Sequence, residues 1–344
     1  MHADRYRLYG VLGSPYAAKV RALLRYRHLP FDWIGAGYDW APDYVEVRDE
    51  LRDVKPPVIP VLRFPHDGSY RTDSTVLAYQ LEDLHPGHRS VIPDGAARAF
   101  LSHLLEDMAD EWGMKMAFWY RWSNEADGEF RSRFIMAEIM GGGVPDQLLG
   151  EAAKQFRERQ VHRMDLVGVT PENGPLVIET YDRVLDITNR MNERQSFLFG
   201  SRPSLADFGW YGALFTCWND PSPGRIMTER APGTIYWLQR LDEASGVSGD
   251  WYDPEDPLPE SVVELLGMVG DVYLPFLAAN AAALDEGRKT FTFSAYGRPY
   301  TQGVFRYQRK CLEWLRSEFA GLSADDRASI EEVLKDTGCL NYLV

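Results

Sequence analysis

Val11-Leu12-Gly13-Ser14-Pro15-Tyr16-Ala17-Ala18-Lys19-Val20-Arg21 is the stretch whose reading decides the fold of this chain. Ahead of it, Tyr6-Arg7-Leu8-Tyr9 alternates as a short strand does. Behind it, Val20, Leu23 and Leu24 recur at helical spacing. Ser14 sits where an N-cap belongs, and Pro15 follows at the first helical position, where its missing N–H costs nothing. A strand, a tight turn and a helix result, and the helix's free N–H groups point at whatever lies above Ser14. Such an end attracts anions, a thiolate included. Ser14 thus has two readings, a cap and a catalytic hydroxyl.

Working outward, the first helix should run from Pro15 to about His28 and stop before Pro30. Phe31-Asp32-Trp33-Ile34 reads as a second strand, parallel to the first because a single helix joins them. Residues 39 to 54 read as an acidic stretch holding a short irregular helix. Lys55-Pro56-Pro57-Val58-Ile59-Pro60-Val61-Leu62 places a proline at the start of a strand, a position suited to a cis bond. His66-Asp67-Gly68 turns the chain into Ser69-Tyr70-Arg71-Thr72, and Asp73-Ser74-Thr75 opens another helix, which stops at His85-Pro86-Gly87. His85 and His88 alone form too small a set for a metal site and read as an exposed turn.

The rest reads as mainly helical. Pro93-Asp94-Gly95 marks a linker, and Leu101, Leu104, Leu105, Met108, Trp112, Met116 and Trp119 define one helix from Ala97 to about Ser123. Gly141-Gly142-Gly143 breaks the next helix and lacks the Lys-Ser/Thr of a phosphate loop. Helices are expected from Leu148 to near Gly168 and from Leu176 to Gln195. Ser204 and Asp207 have capping-box spacing ahead of an almost wholly apolar run. After the stiff Asp253-Pro254-Glu255-Asp256-Pro257-Leu258-Pro259 connector come a helix over 260–286 kinked at Pro275, a strand at Thr290–Phe293, a turn at 296–299 and two closing helices.

With 344 residues and 45% apolar content, the chain can fill two cores. Its 37 Lys and Arg against 51 Asp and Glu leave a net charge of −14, which argues against nucleic acid and anionic membranes as partners. No run of eighteen or more apolar residues suggests a membrane span, and no signal-peptide pattern is expected at Met1–Arg5. Cys217, Cys311 and Cys339 are odd in number and far apart, which suits a reducing, cytoplasmic setting.

Ser14-Pro15-Tyr16 before Lys19-Val20-Arg21, Val58-Ile59-Pro60-Val61-Leu62, and Thr72-Asp73-Ser74-Thr75-Val76-Leu77 together resemble the N-terminal domain of cytosolic glutathione S-transferases. Ser204-Leu205-Ala206-Asp207 resembles the capping box of that family's helical domain. Similarity spans roughly residues 6 to 245. The resemblance implies an α/β thioredoxin-like N-terminal domain (βαβαββα) over 5–86, a linker over 87–96, and an all-α domain of glutathione-transferase type over 97–246. It leaves 247–344 as a mostly helical extension packed on the helical domain.

It further implies a glutathione transferase acting on an apolar electrophile, a detoxification enzyme that forms a homodimer and needs no metal. Ser14 would donate its hydroxyl to the glutathione sulfur, with Tyr9 as the rival hydroxyl. Ile59, before Pro60, would pair its main chain with the cysteinyl part, and Asp73 and Ser74 would take the γ-glutamyl ammonium and carboxylate. Pro57 and Val58 stand where several serine classes carry a lysine or glutamine, leaving Lys55 as the substitute. Tyr16, Trp112, Met116 and Trp119 are the expected wall of the electrophile pocket, although helical spacing also suits core packing. A non-catalytic binding or scaffold protein is the alternative. A thiol–disulfide reductase is disfavoured, because those relatives place cysteine where Ser14 stands.

Overall fold

A computed structural model describes residues 4–36 and 50–344. The expected irregular helix over 39–54 lies largely outside the described residues. The N-terminal domain is built on β1 (Tyr6–Gly10), α1 (Pro15–Tyr26), β2 (Phe31–Gly35), β3 (Val61–Arg63), β4 (Tyr70–Thr72) and α2 (Ser74–Leu84). Strand order is β2-β1-β3-β4. β1 runs parallel to β2, with Leu8 opposite Trp33, and antiparallel to β3, with Leu8 opposite Leu62. β4 closes the sheet antiparallel to β3, with Leu62 opposite Arg71. This is a thioredoxin-like arrangement followed by a mostly helical domain. The parallel pair follows from the α1 crossover, and the antiparallel pair from the tight turn around Gly68.

Helices dominate the remainder: α3 (Ala96–Met108), a π-helical turn at Ala109–Gly113, α4 (Met114–Ser123), α5 (Glu125–Met140), α6 (Asp146–Val161), α7 (Gly174–Met191), α8 (Leu205–Trp218), α9 (Pro221–Arg230) and α10 (Pro232–Asp242). The single helix expected over 97–123 is therefore two helices joined by a wide turn. α8 runs through the middle, buried from Leu205 to Cys217. Its capping box is closed on both sides, and Asp207 also accepts the Leu198 N–H at 3.0 Å and the Trp237 indole N–H at 3.2 Å. Gly212 lets α1 lie directly on α8, since a Cβ there would come within 2.5 Å of the Pro15 carbonyl oxygen.

The C-terminal hundred residues form α11 (Glu260–Met268), a second π-helical turn (Val269–Tyr273), α12 (Leu274–Asp285), a β5 (Thr290–Ala295) and β6 (Arg298–Gly303) hairpin, α13 (Arg306–Gly321), α14 (Ala324–Asp336) and α15 (Leu340–Leu343). A π-turn directly precedes Pro275, the position of the expected kink. It widens the backbone just where the proline supplies no N–H to the preceding turn. The hairpin turns on Tyr296 and Gly297, both at positive φ, as a type I′ turn needs. Along β5 the side chains alternate exposed and buried, with Phe291, Phe293 and Ala295 inside.

These elements pack on α3 and α7. Phe276, Phe293 and Tyr300 surround Trp112, with ring centroids at 5.3, 5.9 and 5.1 Å. One continuous hydrophobic cluster consequently runs from β1 through the helical domain into the extension. Glu260–Asp285, 26 residues long, has the length and hydropathy of a membrane span, yet 56% of its apolar window is buried within this core. All three cysteines are free and buried.

Candidate functional site

Ser14 starts α1 as the sequence suggests. Its backbone is extended (φ −96°, ψ 121°), and its Oγ accepts the Ala17 N–H at 3.3 Å. The turn before it is held from three sides. The Ser14 N–H donates to the Val11 carbonyl at 2.9 Å, the Leu12 N–H donates to Glu138 on α5 at 2.8 Å, and Arg121 on α4 donates to the Gly13 carbonyl at 2.7 Å. Arg121 is fixed in turn by Asp220, whose other carboxylate oxygen receives Arg131. Asp220 is buried, so two guanidiniums meet one carboxylate behind the Ser14 loop.

A cleft of about 280 Å³ opens at this loop. Ser14, Pro15 and Tyr16 form its floor, and Pro57, Val58 and Ile59 form one lip. The facing wall comes from α4, through Met114, Ala117, Phe118, Arg121 and Trp122. α5, α6 and the turn after α6 complete it with Ile135, Phe156, Arg159, Gln160 and Arg163. Three arginines and no carboxylate line the cleft among the described residues.

Ser14, Tyr16 and Ile59 are thus the sequence-predicted residues that share this cleft. The Tyr16 hydroxyl donates to the Asp110 carbonyl at 3.1 Å, and burial, with Glu111 and then Asp110 nearby, keeps its pKa well above the usual range. Tyr9 lies elsewhere, fully buried in a small cluster with Ala36, Leu51, Val54 and Val61. Burial and Glu50 raise its pKa, and Tyr9 does not line the cleft. Ile59–Pro60 and Lys55–Pro56 are both cis. Pro60 is buried, Lys55 is exposed, and neither lines the cleft.

Trp112 and Met116 do not form the expected pocket wall. Both are fully buried in the core, and the Trp112 indole donates to Thr180 at 3.2 Å. Trp119 packs against Gly174 on α7. The cleft instead receives residues 114, 117, 118, 121 and 122. These fall at i, i+3, i+4, i+7 and i+8, the other face of the same helix. The π-turn at 109–113 intervenes before this face begins. Arg121, Arg159, Gln160 and Arg163 carry no motif in the sequence, because isolated polar residues on an amphipathic helix read as solvent-facing.

Asp73 and Ser74 sit together at the start of α2, away from the cleft lining. Asp73 holds φ +77° and ψ 108°, sparsely populated for a residue with a Cβ, and such conformations concentrate at functional sites. One carboxylate oxygen caps α2 by accepting the Val76 N–H, and the other accepts the Tyr307 hydroxyl of α13 at 2.7 Å. Ser74 is buried and donates to Asp110 at 3.0 Å.

Beneath them, Lys19 of α1 is wholly buried and reaches Glu106, Asp110 at 2.7 Å, Thr75 at 3.3 Å and Ser74 at 3.4 Å. Burial pulls the Lys19 pKa down, but Asp110 and then Glu106 outweigh it, and the ammonium stays charged. Asp110 is pushed up to about 7 by burial against the pull of Lys19. Helix α1 is therefore pinned at both edges, to the Ser14 loop through Arg121 and to α2 and α3 through Lys19.

Residues 8–89 match the family model described as the glutathione S-transferase N-terminal domain. No curated protein matches the chain. Among solved structures, a glutathione S-transferase from Rhodospirillum rubrum is 18% identical, with 76% of this chain and 99% of that chain covered and a TM-score of 0.43. One from Methylobacterium radiotolerans, in complex with glutathione sulfonate, is 18% identical over 74% and 100%, with a TM-score of 0.42. The beta-etherase LigF from Sphingobium is 20% identical over 76% and 98%, with a TM-score of 0.44.

Proposed function

We propose that this chain, whose residues 8–89 match a glutathione S-transferase N-terminal domain, binds glutathione and transfers it to an electrophilic carbon. The observation that carries the reading is a single cleft shared by Ser14, at the N-terminus of α1, and Ile59, before the cis proline. An extended peptide laid along Ile59 pairs with its main chain as an added strand does. Its cysteinyl sulfur then meets Ser14. The Ser14 hydroxyl donates to the thiolate, and the α1 N-terminus adds favourable field. The thiol proton leaves to solvent, and a sulfur lone pair forms the C–S bond. The leaving group departs with its electron pair or, in an addition, the neighbouring carbon takes a proton from water.

Titration with glutathione tests this through thermal or urea unfolding. Ligand at a hundred times its Kd stabilises by about 2.7 kcal/mol, and no stabilisation at millimolar glutathione sinks the reading. One observation favours the second reading, a scaffold without turnover. Tyr307 already occupies the outer oxygen of Asp73, which the family resemblance assigns to the γ-glutamyl ammonium. Stabilisation by glutathione that emerges only in Tyr307→Phe identifies the scaffold. Stabilisation already present in the wild type, weakened in Tyr307→Phe, makes the extension part of the glutathione site.

A further inference from the structure

We infer that His103, Glu106 and Asp107 form a site for one divalent transition-metal ion of the zinc type, where α3 meets the C-terminal extension. None of the three lines the cleft, and the site stands or falls independently of the transferase reading.

The three residues occupy positions i, i+3 and i+4 of α3, so they share one face of the helix. One ligand atom from each lies within 4.8 Å of the other two, and all three side chains are buried. An imidazole nitrogen with two carboxylate oxygens is a donor set that zinc accepts. Zinc bonds of about 2.0–2.2 Å place tetrahedral ligands about 3.5 Å apart, so the set closes once each side chain draws in by less than about 1 Å.

Glu106 gives its Oε1 to Lys19 and Thr75. Its Oε2 is buried with no hydrogen-bond partner among the described residues, and a bare carboxylate oxygen in the interior calls for a cation. Charge makes the same demand. Among the described residues, three buried carboxylates, Glu106, Asp107 and Asp110, are served by one ammonium, Lys19. The excess of two negative charges is what a divalent ion cancels.

Each ligand also has an outer partner, as metal-binding side chains do. The His103 Nδ1–H donates to Glu318 of α13, so a carboxylate fixes the tautomer and the other ring nitrogen keeps its lone pair. Asp107 accepts the Tyr273 hydroxyl through Oδ2 at 2.6 Å, which keeps Oδ1 for the ion. Glu318 and Tyr273 both belong to the extension, so an ion held here ties the extension to α3.

Because the cluster is buried, the ion is loaded as the chain folds. The full chain is unfolded in urea with a chelator, refolded with or without Zn²⁺ or Co²⁺, desalted and assayed by plasma mass spectrometry. A single equivalent should be retained, cobalt should show the visible bands of a four-coordinate site, and the loaded chain should melt at a higher temperature than the metal-free one. Retention should be lost in His103→Gln and in Asp107→Asn. Affinity should fall about 10–100-fold in Glu318→Gln, and it should persist in His162→Gln, which removes an exposed histidine. Wild-type chain that retains no metal overturns the inference and leaves the cluster to protons. Retention undiminished in His103→Gln or Asp107→Asn overturns it as well. If neither variant folds, the anomalous-scattering peak of zinc in wild-type crystals decides: an ion bonded to His103 and Asp107 supports the site, and one elsewhere refutes it.

Discussion

Replacing Ser14 separates the two duties its hydroxyl carries. The cap bond to the Ala17 N–H is 3.3 Å long, and in it Ser14 is the acceptor, so the hydroxyl proton remains for another partner. Donation to a thiolate is a bond to a charged group, worth about 1.5–3 kcal/mol, or about one to two pKa units. The α1 N-terminus contributes about 0.3–1 kcal/mol more and survives the substitution. In Ser14→Ala, bound glutathione should therefore titrate about one to two units higher, back toward about 8.5. The assay is the ultraviolet absorbance of the thiolate as a function of pH.

Loss of the cap costs about 0.5–2 kcal/mol of stability, measured by urea unfolding. Ser14→Asp distinguishes the two effects. Aspartate caps as well as serine but, when ionised, only accepts hydrogen bonds and repels a thiolate. It should keep the stability and raise the thiol pKa at least as far as alanine does. Bound glutathione whose thiol pKa moves in neither variant refutes the assignment of Ser14 to the sulfur.

Lys19→Met leaves Glu106 and Asp110 buried without their cation and should cost about 3–5 kcal/mol in urea unfolding; adding Glu106→Gln and Asp110→Asn should recover most of it, and a loss below about 1 kcal/mol contradicts the network's role. Lys115 is buried, donates to the Val167 carbonyl at 2.7 Å and to Gln302 at 2.8 Å, and burial lowers its pKa to about 7 against the opposing pull of Glu111. The unfolded chain then binds the extra proton, so this group makes stability rise with pH between about 7 and about 10.5. That slope should disappear in Lys115→Met measured in a Glu111→Gln background, and an unaltered slope rejects the assignment. Truncation after Tyr252 strips Phe276, Phe293 and Tyr300 from Trp112; the shortened chain should lose cooperative unfolding and bind anilinonaphthalene sulfonate, whereas a cooperatively folded product would show the extension to be an independent appendage.

The parts of the fold legible in the sequence are those written in local chemistry. Ser14-Pro15, Asp73 and Ser204 with Asp207 announce helix starts because a cap needs a short polar side chain within three residues of its N–H. The order of strands and first helices follows from crossover length and turn residues. What sequence periodicity did not give was which face of α4 meets the cleft. The apolar stripe through Leu101, Leu105, Met108, Trp112 and Met116 is real, but it is the core stripe. The cleft face mixes Met114, Phe118, Arg121 and Trp122, and a mixed face has no period to read.

The extension shows the same division. Alternation in Thr290-Phe291-Thr292-Phe293 gives a strand, and the structure pairs it with β6, where Pro299 and Gly303 dilute the strand signal. No local pattern brings Tyr307 to Asp73, 234 residues away, or Arg121 to the carbonyl of Gly13, 108 residues away.

Sequence alone therefore determined the strands and first helices of the N-terminal sheet and Ser14 as a helix cap, because those rest on local chemistry, and the parallel start of the sheet, because a single helix joins its two strands. Tertiary structure alone decided that Ser14 opens onto an arginine-lined cleft, that Tyr9 is sealed in the core, and that the last hundred residues reach back to Asp73. Those depend on which helix faces which, and that is settled by burying the apolar surface of the whole chain at once.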